Sequence, residues 1–150
     1  MSYEIKLLTT ASKFPQHQRI IRHFALRFAL RSFDVNTTRG QTLGQMDNMC
    51  KMMELSSLLQ ENFNYVQQAL SNIHKGYRSL LLSFYSGKTT AIKLAKRYRV
   101  TTPTVYRKLR IAKDSFVRAL KRMGINEKWY DNYFVPLFDQ LTDLDIPFAL

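Results

Sequence analysis

Apolar residues along this chain recur at steps of three and four, and stretches that alternate polar with apolar residues are almost absent. From Gln16 to Phe33 the repeat runs through Ile20, Ile21, Phe24, Ala25, Phe28 and Ala29, with Arg19, Arg22, Arg27 and Arg31 between. That spacing predicts an amphipathic basic helix whose phenylalanines face a core, with a helix lying on a membrane or nucleic acid as the alternative. Its expected end is Asp34, because DVNTTRGQTLG is dense in turn formers and holds two glycines. A second repeat runs from about Met46 to Ile73 through Met49, Met52, Met53, Leu55, Leu58, Leu59, Phe63, Val66 and Leu70. Its length and its interior free of glycine and proline favour helix over strand. The methionines of MCKMM read as adaptable core filler, with a plastic partner surface as the alternative.

Three shorter helices are predicted beyond Ile73. Tyr77, Leu80, Leu81 and Phe84 make the apolar stripe of the first, and Ser86-Gly87 stops it as a glycine C-cap. Thr89 or Thr90 caps the second, which carries Ile92, Leu94, Ala95 and Tyr98. The third opens at Thr101-Thr102-Pro103, where a threonine can accept an orphan amide hydrogen bond and proline fits the first turn. Val105, Leu109, Ala112, Phe116 and Leu120 form its buried stripe. The short connection makes the second and third helices cross closely, with Ala95 small at the crossing and Val100 plugging the turn.

Charge changes the picture here. Residues 88–122 hold twelve lysines and arginines against one acid, Asp114, a net +11 out of +12 for the whole chain. A solvated helix face normally mixes signs, so this excess points to nucleic-acid phosphates. Residues 124–150 hold five acids against Lys128, a net −4, among many aromatics. Such a tail either docks on the protein's own core or contacts a partner, and the sequence leaves both open.

The stretch ALSNIHKGYRSLLLSFYSGKTTAIKLAKRYRVTTPTVYRKLRIAKDSFVRAL resembles region 4 of the sigma-70 superfamily, the promoter-reading helix-turn-helix of bacterial sigma factors. The resemblance covers residues 69–122 and extends to short sigma-like regulators and phage activators of late transcription. It implies that the start of the last helix enters a major groove, with Thr102, Pro103, Thr104, Tyr106, Arg107 and Arg110 towards bases or adjoining phosphates, and that Lys88, Thr89, Thr90 and Lys93 face the backbone. Pro103 stands where housekeeping members carry an acid that accepts from a base, so the preferred sequence must differ. Arg99 stands where the turn often has glycine or aspartate. SSLLQENFNYVQQAL has a faint likeness to sigma region 2, but the strand-melting segment that should follow is missing, so a complete sigma factor is not expected.

Other chemistry fails on spacing. Ser86-Gly87-Lys88-Thr89 ends like a Walker A loop, yet Leu82 stands where the first glycine belongs. His17 and His23 fall on different helix faces, and His74 is isolated; all three read as surface or boundary residues. Neither a catalytic arrangement nor a metal or other cofactor site is expected, and Cys50, the only cysteine, rules out an intrachain disulfide. With no run of eighteen apolar residues and no signal-like N-terminus, a cytoplasmic protein without membrane contact is expected. The expectation is an all-α, non-enzymatic chain: a two-helix N-terminal arm (residues 1–72), a sigma-region-4-like helix-turn-helix domain (73–123) and an acidic aromatic tail (124–150). Its expected partners are double-stranded DNA and RNA polymerase, in the role of a transcription regulator. A subunit of a recombination or packaging machine, an interaction module for an acidic partner such as a sigma or anti-sigma factor, and a homodimer all stay open.

Overall fold

A computed structural model describes residues 2–32 and 39–142, and every regular element among them is helical: α1 (Tyr3–Ser12), α2 (Phe14–Ser32), α3 (Arg39–Ser71), α4 (Lys75–Tyr85), α5 (Ala91–Tyr98), α6 (Thr102–Arg122), α7 (Glu127–Trp129), a π-helical turn (Tyr130–Phe134) and α8 (Val135–Thr142). The expected all-α class is therefore observed. No helix among the described residues is long and apolar enough to cross a membrane.

The N-terminal half differs from the sequence expectation. It holds three helices, not two: the periodicity of Leu7, Leu8, Ala11 and Phe14 is too brief to stand out, yet all four are buried. Pro15 starts no break, because it falls in the first turn of α2, where an amide has no helical partner to lose. The stretch expected as a loop from Asp34 is helical from Arg39, so Gly40 and Gly44 lie inside α3; the expected helix end at Asp34 lies outside the described residues, as do the side chains of Phe28, Ala29 and Arg31. Glycine in a helix costs about 1 kcal/mol, and the 33 residues of α3 absorb it by packing farther along.

One large core gathers residues from both ends of the chain. Leu7 and Leu8 of α1, Ile21 of α2, Met52, Leu55, Leu59, Val66 and Leu70 of α3, and Leu81 of α4 meet Ala112, Phe116 and Leu120 of α6. Phe14 stacks on Phe63 with ring centroids 4.7 Å apart. The side chain of Asn62, buried in this core, donates to the Leu7 carbonyl at 3.3 Å, tying α3 to α1. The methionine run divides: Met52 is core, whereas Met46 and Met53 are 56% and 69% exposed, so core filler describes only part of it. His17, expected at the surface or its boundary, is buried at 2% exposure, whereas His23 is exposed.

The tail docks on the same core as far as it is described. Tyr130, Phe134 and Phe138 are buried, their rings stacked in series at 5.4 and 5.5 Å, while Trp129 meets Tyr65 of α3 edge-on at 6.0 Å. The hydroxyl of Tyr133 donates to Glu61 at 3.1 Å. The helix widens before Pro136, with the Val135 amide donating back five residues to Tyr130. Proline has no amide to give and its ring crowds the carbonyl four residues earlier, so a wider turn accommodates it. Asp143 and Asp145 lie outside the described residues.

Candidate nucleic-acid interface

A second, smaller core belongs to α4, α5 and α6 and the turn between the last two: Leu80, Ala91, Leu94, Ala95, Val105 and Leu109, with Phe84, Tyr85 and Val100 against it. The long helix α6 joins the two cores, its first half packing here and Phe116 and Leu120 packing into the large one. This anchors the first turns of α6 to the body of the protein.

Local chemistry sets each junction. α4 starts at His74, whose Nδ1 accepts from the Gly76 amide at 3.1 Å, a capping role that the residue's isolation in the sequence did not suggest. α4 and α6 end with a glycine in the left-handed region, Gly87 at φ 75° and Gly124 at φ 80°. α5 ends with Arg99 at φ 56° and ψ 45°, the only non-glycine residue with positive φ among those described. There the Val100 amide donates to Ala95 at 3.0 Å and the Arg99 amide to Lys96 at 3.4 Å, closing a Schellman motif with Val100 packed on the small core. An arginine in this conformation carries about 1–2 kcal/mol of strain that glycine would avoid.

Two capping expectations resolve differently. Thr90, not Thr89, caps α5 by accepting from the Lys93 amide at 3.3 Å. At α6 the flanking Thr101 makes no side-chain cap; its hydroxyl meets that of Thr104 at 2.8 Å instead, and Pro103 in the first turn reduces the number of amides that need one.

Opposite buried Val105, Leu109 and Ala112, the outer side of α6 shows Pro103, Tyr106, Arg107 and Arg110, all exposed and spaced so that they line one helix face. Tyr106 is 55% exposed, and its ring sits edge-on to Phe84 at 6.4 Å, which restricts its orientation. Thr102 and Thr104 are half-buried on either side. Lys88, Thr90 and Lys93 are exposed around the start of α5, and Thr89 is half-buried. The expected site residues thus lie on α6, on the first turn of α5 and on the few residues before it, and the two helices pack directly on one another through Leu94, Ala95, Val105 and Leu109.

The burial pattern also adds and removes residues. Ile92, one of the apolar residues carried by α5, is 61% exposed beside Lys93, because the buried stripe of that helix is Ala91, Leu94 and Ala95. Tyr98 and Ile111 are exposed as well and line an open trough of about 760 Å³ between α4 and α6, with Tyr77, Leu80 and Val100 on its floor and Arg107 and Lys108 on its rim. Sequence periodicity gave no sign of it, since a trough depends on how three helices meet. Of the twelve cations in residues 88–122, only Lys113 forms an ion pair among the described residues, with buried Glu4 at 3.8 Å. No group of side chains that could hold a metal ion occurs among the described residues. Comparisons with protein-family models, with curated proteins and with solved structures found no match to this chain.

Proposed function

We propose that α4, α5 and α6 form a helix-turn-helix of the sigma-region-4 kind, and that the protein is a sequence-specific DNA-binding regulator that recruits or redirects RNA polymerase. One observation carries this reading: a helix anchored by its buried face exposes Pro103, Tyr106, Arg107 and Arg110 together, within a segment, residues 88–122, where cations outnumber acids twelve to one. Arg107 is the residue suited to a bidentate contact with a guanine edge, and Tyr106 offers a restrained ring to a thymine methyl. Lys88, Lys93 and the capped start of α5 suit phosphate, because backbone amides and the helix dipole add to their charge. Phosphate contacts fix register while α6 reads bases. In this reading the apolar trough beside Arg107 and Lys108 is the surface open to polymerase.

Binding of labelled duplexes, measured across a salt series and against unrelated competitor, tests the proposal. Saturable binding with a preference for particular sequences is expected. Salt-sensitive binding without any preference would favour a recombination or packaging subunit, and no binding at all would favour an interaction module for an acidic protein.

A further inference from the structure

α3 presents a second surface, chemically unlike the rest of the molecule. Along its outer side Met46, Cys50, Met53, Ser57, Gln60 and Asn64 follow one another in alternating steps of four and three, and the series continues through Gln67 and Ser71. All eight are exposed, and all are uncharged, in a chain of which 23% is charged. Steps of three and four repeating every seven residues keep a seam on one side of a helix, the arrangement by which two helices pack along their length. Its first half is apolar and adaptable, with two exposed methionines around Cys50, and its second half is polar.

From this seam we infer that α3 is a self-association surface whose occupant is α3 of a second copy, in parallel and in register. Charge argues for a second copy. Two bodies of net charge +12 repel through most of their surfaces, so a neutral seam is where they can approach at low electrostatic cost. Charge also argues for the direction. One flank of the seam is acidic at every seventh residue, Asp47, Glu54 and Glu61, whereas the other carries Met49, Ser56 and Phe63. An antiparallel pair would set acidic flank against acidic flank; a parallel pair sets each acidic flank against the neutral one of its partner. Asn64 in the seam favours in-register pairing, where its amide finds an identical amide opposite. A parallel pair also brings both α4–α6 units to the same end. That geometry suits two adjacent half-sites on a duplex, although the self-association does not rest on DNA binding.

The single cysteine supplies the test. In a parallel, in-register pair Cys50 faces Cys50 of the other copy, so mild oxidation of the full-length protein should yield a disulfide-linked dimer, lost in Cys50→Ser. Sedimentation equilibrium should show monomer and dimer in reversible exchange, retained in Cys50→Ser and in Arg107→Ala. Met53→Glu should weaken the dimer about tenfold or more, as should Gln60→Glu, since each sets two carboxylates face to face. Both positions are solvent-exposed, so unchanged melting of the dilute variants would show that the fold is kept. A monomer at every concentration would overturn the inference, as would a dimer indifferent to both substitutions. A dimer that responds to both but never links through Cys50 would overturn the parallel arrangement.

Discussion

Arg99 is the residue at which conformation and charge pull in different directions. The same left-handed corner that Gly87 and Gly124 occupy freely is held here by a side chain with a β-carbon. Arg99→Gly should therefore stabilise the fold by up to about 1 kcal/mol, the relief of strain being offset in part by the freedom glycine adds to the unfolded chain. It should weaken duplex binding at the same time, because a cation leaves the turn between α5 and α6; thermal melting and duplex titration of one variant read the two effects separately. Arg107→Ala should do the reverse. An exposed side chain contributes little to stability, but losing a base contact should cost about 1–3 kcal/mol of specific binding and relax preference at one or two base pairs. Tyr130 carries a pH dependence. Burial first, then Asp131 and Asp139, raises its phenol above the ordinary value of 10.0, so the fold favours the neutral form. Its contribution is present in full below that value and lost as pH climbs through the raised one. Tyr130→Phe should lose less stability than the parent protein between neutral pH and pH above 10 in denaturant titrations. Residue by residue, exposed chemistry was the more legible part: Arg107 and Tyr106 stand where the pattern of Val105 and Leu109 put them. His17 was not, because its burial comes from tertiary packing that a local pattern does not carry.

Among elements, α6 is the one on which the arrangement depends, since its two halves belong to different cores. All five apolar positions expected for it are buried, because a long helix repeats its pattern often enough to be unambiguous. α5 is only eight residues long, and two turns give too few repeats to fix a face: Ile92 is exposed whereas Leu94 and Ala95 are buried. α1 escaped notice for the same reason, and the first turns of α3 were hidden by glycines that usually mark loops. The docked tail gives this scale its prediction. Tyr130, Phe134 and Phe138 bury aromatic area, which at about 25 cal/mol per Å² stabilises by several kcal/mol. Truncation after Gly124 should lower the melting temperature and expose hydrophobic surface to dye. Asp131→Asn should leave melting nearly unchanged, because an exposed charge contributes about 0–1 kcal/mol.

For the whole molecule, the division of charge matters most: cations crowd α5 and α6, while the outer seam of α3 carries none. The charge bias of residues 88–122 was plain in the sequence, but which cations share a face followed only from the packing of α5 on α6. If Lys88, Lys93 and Lys96 contact phosphates, each single alanine variant should weaken all duplexes about equally and reduce the slope of log affinity against log salt by about one. Unchanged slopes in all three would make those lysines a solvated face. Selecting bound duplexes from a random pool with the full-length protein and with Arg107→Ala decides whether α6 reads sequence. A short enriched sequence is expected for the parent protein, with preference relaxed at one or two positions in the variant. A pool that stays random through successive rounds, or a variant that enriches the same sequence with equal stringency, would contradict it.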